Sequence, residues 1–261
     1  MIRALPARPI KFMRDSCLNF WQRLKIKIQF NKPPIIIGGC ARSGTTLLLS
    51  ILSAHPEIYA IPVETRVFCP TAYSDNFDPG APIKLDYFYD QYLNKFPFSC
   101  NRWCEKTPRN VLCFEKILKY FKNQVKIIHI VRDGRDVVLS KHPKRPDQYW
   151  VSPEKWIRDT GIGLKYRDHS SVYTVKYEDL VLDYEKTIKD ICVFLEIKCR
   201  PEILAWHRHA KVCKHDAYFG EVRDIFQDSV GKWKDSRYRE RVDLLMQKPE
   251  AVELLKALGY L

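Results

Sequence analysis

The stretch IIIGGCARSGTT, residues 35–46, decides the fold. Its three isoleucines form a short β-branched run that ends in glycines, a pattern typical of a buried strand in a parallel sheet. A leucine-rich segment with helical character follows from Thr45 to Ala54. Glycines let backbone N–H groups of the connecting loop point inward, and the helix adds the partial positive charge of its N-terminus. The stretch therefore predicts a strand, a tight loop and a helix that together bind an anion.

The loop differs from the common nucleoside-triphosphatase loop at one decisive position. Gly39 and Gly44 have the matching G-x-x-x-x-G spacing, but Thr45 stands where that loop requires Lys. The clamp for β- and γ-phosphates is therefore missing, and Arg42 supplies positive charge from within the loop. We expect the loop to bind a diphosphate-like group without a metal ion. Its predicted anion-binding residues are Arg42, Ser43, Gly44, Thr45 and Thr46.

Further strands and helices alternate along the chain. Residues 125–131 and 172–177 are β-branched, apolar runs that predict two more buried strands. Residues 60–100 are rich in proline and aromatic residues and are expected to form loops and helix that cover a site. Helices are expected at 111–121, from Val137 onward, at 184–195 and at 249–258. The alternation predicts a P-loop-type three-layer α/β/α fold with a central parallel sheet.

A second candidate anion site follows the strand at 125–131. The chain continues there as R-D-G-R-D, residues 132–136. Arg132 would lie at the end of a parallel strand, where open α/β sheets bind ligands, and its guanidinium fork can hold a phosphate. We expect the next helix to reach Ser140, about two turns on, so that its hydroxyl donates to the same group. On its own, the motif is equally consistent with a surface Arg–Asp pair.

Composition and charge exclude several classes of protein. The chain has 261 residues, of which 46% are hydrophobic and 13% aromatic, so it is neither disordered nor collagenous. It has no run of 18 apolar residues, so a membrane-spanning helix is not expected. Its nine cysteines are scattered without a C-x-x-C pair, which argues against a zinc site and favours buried thiols in a reducing compartment.

The net charge of +13 is concentrated at the N-terminus. Residues 1–32 hold eight basic residues and one acid, which gives this segment +7 and leaves +6 for the rest. We expect a basic leader at 1–32 and one domain at 33–261. Residues 20–28 are consistent with a short amphipathic helix or a strand. The leader is either a solvated arm packed on the domain or a contact for an acidic membrane surface or partner.

These motifs resemble those of the sulfotransferases that use 3′-phosphoadenosine-5′-phosphosulfate (PAPS), over about residues 34–260. In that family the first motif binds the 5′-phosphosulfate and the second binds the 3′-phosphate. The pattern is similar to the branch of protein-tyrosine sulfotransferases and their bacterial relatives. The stretches that carry this likeness are A-H-P-E-I at 54–58, E-T-R-V at 64–67, C-E-K-T-P at 104–108, V-K-Y-E-D-L at 175–180, G-K-W at 231–233 and L-L-K-A-L-G-Y at 254–260.

The resemblance implies an enzyme that moves a sulfuryl group from PAPS to a hydroxyl or amine by in-line displacement, with 3′,5′-ADP as product. Glu64 would be the general base and Lys106 would contact the bridging oxygen of the donor. Arg42 would hold the 5′-phosphate and sulfuryl group, and Arg66 would organise the acceptor side. The remaining implied nucleotide-binding residues are Arg132, Ser140, Tyr177, Gly231, Lys232 and Trp233.

Two positions depart from the tyrosine-sulfotransferase pattern. The family's disulfide joins the position of Cys104 to the position of Ile61, so that bridge cannot form here. The family's second substrate-side Arg is replaced by Pro70, which argues against peptidyl tyrosine as acceptor. We therefore expect a cytoplasmic enzyme, with the leader as a candidate for peripheral membrane contact.

Two other functions and another base remain open. A nucleotide kinase or hydrolase would share the fold but would require magnesium and a loop Lys, which Thr45 replaces. A polyanion-binding module would rest on the positive charge and would survive loss of Glu64; the basic leader alone does not predict a nucleic-acid partner. His55, His129 and His142 are the alternative bases; we expect His55 and His129 to be structural and His142 to be exposed.

Overall fold

The computed structural model describes residues 19–71, 73, 77–92, 96–142, 145–213 and 227–261. Its centre is a five-stranded parallel sheet formed by β1 (Ile35–Gly38), β2 (Ile58–Ala60), β3 (Arg102–Lys106), β4 (Lys126–Val131) and β7 (Val172–Lys176). The order of the strands across the sheet is β2-β3-β1-β4-β7. Two further strands, β5 (Lys141–His142) and β6 (Arg145–Tyr149), form an antiparallel hairpin.

Helices connect the strands. The α-helices are α1 (Phe20–Gln29), α2 (Thr45–Ser53), α3 (Leu85–Tyr92), α4 (Phe114–Tyr120), α5 (Gly134–Val137), α6 (Pro153–Leu164), α7 (Tyr177–Leu182), α8 (Tyr184–Leu195), α9 (Pro201–Leu204), α10 (Trp206–His209), α11 (Arg239–Met246) and α12 (Pro249–Ala257). Short 3₁₀ turns span Pro108–Cys113, Gln227–Ser229, Lys232–Lys234 and Ser236–Tyr238.

The central strand β1 shows why its three isoleucines form a continuous apolar run. Successive strand side chains point to opposite faces of a sheet. Ile35 and Ile37 pack in a buried cluster with residues of α2 and α8, whereas Ile36 packs in a second cluster with residues of α4. Both faces of β1 are therefore covered by helices, and the predicted three-layer α/β/α fold with a central parallel sheet is confirmed.

The prediction of a helix from Val137 to Ser140 was wrong. The helix α5 is a single turn that ends at Val137, and the chain then enters the β5–β6 hairpin. Asp133 caps the turn by accepting from the Arg135 N–H at 2.9 Å. The N–H groups of Leu139 and Ser140 donate to carbonyls three residues back, which is the pattern of a turn rather than of a continuing α-helix. In the hairpin the Trp150 N–H donates instead to the Ser140 carbonyl at 2.8 Å.

Other predicted elements agree with the structure to within a few residues. The strand at 172–177 corresponds to β7, and the helices at 184–195 and 249–258 correspond to α8 and α12. The helix expected at 111–121 begins as a 3₁₀ turn and becomes α-helical only at Phe114.

Part of the predicted leader is packed on the sheet domain. Of the two alternatives for residues 20–28, the structure has the helix, α1. Arg23 pairs with Asp86 at 2.7 Å, and Ile26 packs against the cluster that contains Ile36. Residues 1–18 of the leader lie outside the described residues. Within the part of the chain that the structure describes, every helix is too short or too polar to cross a lipid bilayer.

Candidate active site

The predicted phosphate loop lies between β1 and α2. Gly44, the residue before α2, has a φ angle of +95°, and a Cβ atom there would lie 2.4 Å from the Tyr177 ring. Glycine is therefore required by both backbone conformation and space. Ser43 and Thr45 are buried, and Arg42 is half-buried. The helix α2 begins at Thr45, directly after Gly44, so its N-terminus lies at the end of this loop.

The second motif lies beside this loop because β4 is the parallel neighbour of β1. Arg132 follows the last residue of β4, and its Nη1 donates to the carbonyl of Arg42 at 3.1 Å. Its Nη2 donates to the carbonyl of Ser229, and its guanidinium lies 4.4 Å from the centre of the Tyr177 ring. The Tyr177 and Ser229 hydroxyls are 2.6 Å apart. The structure thus brings four separated parts of the chain to one edge of the sheet.

Two buried polar atoms at this edge fit an anionic ligand. Among the described residues, Ser43 Oγ and Arg132 Nε are buried and have no hydrogen-bond partner. Buried polar groups are nearly always satisfied, so such atoms indicate a ligand or water. One of them lies in the predicted 5′-phosphate loop and the other in the predicted 3′-phosphate motif. The residues present therefore fit a nucleotide that carries phosphates at both ends.

The late loop at 231–233 is held by the second motif. The carboxylate of Asp136 accepts from the N–H of Gly231 at 2.7 Å and from the N–H of Trp233 at 3.0 Å. Burial raises the pKa of Asp136, and these two N–H groups oppose that shift. The Trp233 ring lies 3.7 Å from the Arg135 guanidinium, whereas Lys232 is exposed. The late loop is therefore anchored next to Arg132.

The predicted base and the predicted lysine form an ion pair. Lys106 ends β3, in register with Ile37 of β1, so it lies at the same sheet edge as the phosphate loop. Its Nζ is 2.8 Å from Glu64 Oε1; the lysine side chain is 0% exposed and the glutamate side chain 17%. Burial lowers the pKa of Lys106, and the charge of Glu64 opposes this shift. The other oxygen of Glu64 accepts from the Tyr73 hydroxyl at 3.0 Å.

A second carboxylate, Glu105, fixes the loop that carries Glu64. Glu105 is fully buried, and its Oε1 accepts from the Thr65 N–H and hydroxyl at 3.2 and 2.9 Å. The same oxygen accepts from Thr107 Oγ1 at 2.7 Å, and Oε2 accepts from Asn110 Nδ2 at 2.7 Å. Burial raises the pKa of Glu105, while these donors oppose the shift. Glu105 therefore ties the residue after Glu64 to β3.

Two arginines surround the Tyr73 ring. The guanidinium of Arg66 lies 4.6 Å from the ring centre and that of Arg109 lies 4.9 Å from it. Arg66 has a φ angle of +55°, a left-handed conformation that is uncommon for a residue with a side chain. Arg66 thus lies on the Glu64 side of the site, and Arg109 adds a second cation there.

The three histidines considered as alternative bases make other contacts. His129 lies within β4, and burial lowers its pKa to about 3. His55 accepts from the Glu57 N–H at 3.2 Å, and its Nε2 lies 3.1 Å from the Lys198 carbonyl. The His142 ring stacks on Trp150 at 4.5 Å. Glu64, which contacts both a buried lysine and a hydroxyl, remains the candidate base.

Sequence reasoning missed several residues that complete the site. Glu105 and Arg109 flank the K-T-P motif, and Asp136 lies within R-D-G-R-D, so neighbouring motifs could have pointed to them. Tyr73 and Ser229 carry no local signal, because only the folded chain brings them to the site. Ser140 is predicted by the sequence, but the hydrogen bonds described for it are made by its backbone: its N–H donates to the Val137 carbonyl at 3.1 Å, and its carbonyl accepts from the Trp150 N–H at 2.8 Å.

This fold and site define a P-loop-type α/β protein with two adjoining candidate anion-binding motifs and an acid–lysine pair at one sheet edge. A sequence model described as "Sulfotransferase family" matches residues 33–201. The chain belongs to the sulfotransferase family of enzymes.

Similar proteins agree with this assignment. A Danio rerio protein named protein-tyrosine sulfotransferase 1 is 25% identical over 97% of this chain and 80% of its own length. The sulfotransferase domain of the curacin biosynthetic pathway has the same fold, with a TM-score of 0.63, 18% identity, and coverage of 87% of this chain and 98% of its own. A mouse sulfotransferase solved with PAP, at 16% identity, covers 90% of this chain and 94% of its own with a TM-score of 0.52. The chain spans only 32% of another relative, an uncharacterised Aquifex aeolicus protein that is 24% identical over 82% of this chain.

Proposed function

We propose that this chain transfers a sulfuryl group from PAPS to a hydroxyl or amine acceptor by in-line displacement. The observation that carries the proposal is the pair of Glu64 and Lys106, which lies at the sheet edge that also holds the phosphate loop and Arg132. Family membership supports the reaction, and the mouse neighbour solved with PAP supports the nucleotide. PAPS supplies an activated sulfuryl group on a phosphate that can leave.

The donor would be held at both of its phosphate ends. Arg42, the Ser43 hydroxyl and the N–H groups at the start of α2 would bind the 5′-phosphosulfate, with Thr45 and Thr46 as further donors. Arg132 would bind the 3′-phosphate through the Nε that the protein leaves unpartnered among the described residues. The other residues proposed to contact the nucleotide are Ser140, Tyr177, Gly231, Lys232 and Trp233. No metal ion is required, because arginine and lysine supply the positive charge.

Glu64 and Lys106 would divide the chemistry between them. The carboxylate of Glu64 would take the proton from the acceptor hydroxyl, which typically contributes about 10²–10⁴ in rate. The Lys106 ammonium would stabilise the charge that develops on the bridging oxygen as the S–O bond breaks. Burial strengthens that contact, since a charge in a low-dielectric site is screened less than one in water. Arg66 would orient the acceptor.

Single-turnover transfer from ³⁵S-labelled PAPS tests this proposal. Phenols, primary alcohols and amines would be supplied as acceptors, and the formation of 3′,5′-ADP would be followed. We expect Glu64→Gln to lower the rate about 10²–10⁴-fold while 3′,5′-ADP still binds. Glu185→Gln, at an exposed acid on α8, is the matched control. An unchanged rate in Glu64→Gln would remove Glu64 from the mechanism.

We also propose that the leader contacts an anionic membrane surface and that the enzyme is cytoplasmic, with the domain at 33–261. The outer face of α1 carries Phe20 and Trp21, which are 71% and 73% exposed, together with the exposed Ile28. The inner face is packed through Ile26. Exposed aromatic and aliphatic side chains on a basic helix suit an anionic lipid interface. The free thiol of Cys104, opposite Ile61, is compatible with a reducing compartment.

Sedimentation with lipid vesicles tests the membrane contact. The full chain should bind phosphatidylcholine vesicles that contain phosphatidylserine more tightly than phosphatidylcholine alone, and less tightly at high salt. The double variant Phe20→Ser and Trp21→Ser should lose this binding, whereas Val193→Ser, at an equally exposed position on α8, should retain it. Equal binding to both vesicle types, or binding that survives the double substitution, would contradict the proposal.

A further inference from the structure

The acceptor side of the site already contains a hydroxyl from the chain itself. The Tyr73 phenol donates to Glu64 Oε2 at 3.0 Å, while Glu64 Oε1 lies 2.8 Å from Lys106 Nζ. One carboxylate therefore bridges a phenol and the lysine proposed to act on the leaving group. This is the contact that a substrate hydroxyl must make with a general base.

The surroundings of Tyr73 also suit an acceptor. The guanidinium groups of Arg66 and Arg109 lie 4.6 and 4.9 Å from the centre of its ring. Cations near the ring stabilise negative charge as it develops on the phenol oxygen, and they remain next to the anionic ester after transfer. Tyr73 is 44% exposed, so this residue is not part of the buried core. Burial and the charge of Glu64 raise the pKa of Tyr73, which keeps the phenol protonated until the base acts.

We propose that Tyr73 is an internal acceptor, which the enzyme sulfonates on its own chain when no other acceptor is bound. This inference rests on the proposed function. In the step, an S–O bond forms between the sulfuryl sulfur and Tyr73 Oη, and the phenol proton passes to Glu64. The S–O bond to the 5′-phosphate breaks, and its electron pair leaves with 3′,5′-ADP. No oxidant or reductant is needed.

A tyrosine with a purely structural role would behave differently in the presence of PAPS. A phenol that only braces Glu64 would receive no sulfuryl group, whatever the donor concentration. Pro70 replaces the arginine expected to bind an external peptide, but a tethered tyrosine needs no such contact, and Arg109 provides a second guanidinium. Proximity on one chain also makes the transfer intramolecular, which favours it strongly over a bimolecular reaction.

Peptide mapping after incubation with PAPS tests the proposal directly. The full chain is incubated with ³⁵S-labelled PAPS without an added acceptor, digested with trypsin and analysed by mass spectrometry with fragmentation that preserves the ester. Cleavage after Arg66 and Lys84 releases residues 67–84, in which Tyr73 is the single tyrosine. We expect one SO₃ group on this peptide, located on Tyr73, with a first-order rate constant that does not depend on protein concentration.

Three variants complete the test. Tyr73→Phe should abolish the labelling of the peptide, and Glu64→Gln should slow it about 10²–10⁴-fold. Tyr87→Phe, at a tyrosine with a similar exposure of 41%, should label as the unchanged chain does. Binding of 3′,5′-ADP, measured by calorimetry, reports that each variant is folded.

The possible outcomes separate this inference from the proposed function. If 3′,5′-ADP binds and added acceptors are sulfonated but Tyr73 is not, the inference is overturned and the transferase function stands. Labelling that persists in Tyr73→Phe, or whose rate constant rises with protein concentration, also overturns it. If neither 3′,5′-ADP binding nor transfer to any acceptor is detected, the proposed function itself fails.

Discussion

Replacing Glu64 by Gln removes the carboxylate that lies 2.8 Å from the fully buried Lys106 ammonium. Breaking a buried ion pair by removing one partner typically costs about 3–5 kcal/mol of folding free energy. Lys106→Met removes the other partner, but the remaining Glu64 side chain is 17% exposed and still accepts from Tyr73. We therefore expect the lysine variant to lose only about 1–2 kcal/mol, and the double variant to lie within about 1 kcal/mol of the unchanged chain.

The pH dependence gives a second signature of the same pair. Burial lowers the pKa of Lys106 and Glu64 is the main group that opposes this, so the pKa falls further in Glu64→Gln. A lysine with a depressed folded-state pKa contributes stability above its unfolded-state value of 10.5, and this stability is lost as the pH falls. The deficit of Glu64→Gln relative to the unchanged chain should thus shrink as the pH rises from about 7 towards about 10.

Denaturant unfolding of the unchanged chain, the two single variants and the double variant measures these free energies. Single-turnover transfer measures the rate of the chemical step. Because the two residues are proposed to act in one step, the double variant should transfer about as slowly as the slower single variant. Glu185→Gln, in the exposed pair with Lys189, should change the free energy of unfolding by less than about 0.5 kcal/mol. Additive losses of stability in the double variant would refute the reasoning, since they would show that the two charges do not interact.

Three further outcomes are expected elsewhere in the molecule. The folded-state pKa of His129 is depressed to about 3, so its contribution to stability is lost as the pH falls below the unfolded-state value of 6.5. Between about pH 7 and about pH 5, the free energy of unfolding of the unchanged chain should therefore fall by about 2 kcal/mol more than that of His129→Leu. The same pH dependence of unfolding in both chains would contradict this. Asp136→Asn leaves one of the Gly231 and Trp233 N–H groups without its acceptor, and calorimetry should show roughly 10- to 100-fold weaker 3′,5′-ADP binding rather than unchanged affinity. Gly44→Ala should weaken the same binding by at least about 10-fold, because a Cβ atom there would lie 2.4 Å from the Tyr177 ring, and about 1.4 kcal/mol of distortion corresponds to a factor of ten. Full affinity would show that the loop tolerates a side chain.

The parts of the fold and site that the sequence predicts are those with a strong local pattern. The isoleucines before the glycine loop and the apolar strand before Arg132 specify their strands without help from distant residues. Once both strands are parallel neighbours, their ends must meet at one edge, and the two anion motifs follow.

The remaining features depend on contacts between distant residues. Tyr73 reaches Glu64 through a loop that has no hydrophobic periodicity, so its position cannot be read from neighbouring residues. The predicted helix beyond Val137 failed because the hairpin is held by the Trp150 N–H on the Ser140 carbonyl, ten residues apart in the chain. Such pairings are set by tertiary structure, which routinely overrides local preference.

Calorimetry with two ligands tests most directly whether Arg132 binds the 3′-phosphate of the nucleotide. The unchanged chain should bind 3′,5′-ADP roughly 10- to 100-fold more tightly than 5′-AMP, since hydrogen bonds to a charged group contribute about 1.5–3 kcal/mol. In Arg132→Ala this ratio should fall towards unity, whereas Arg237→Ala, at an exposed arginine in a pair with Asp235, should leave it unchanged. Equal affinities for the two ligands in the unchanged chain, or a ratio that survives Arg132→Ala, would contradict the claim.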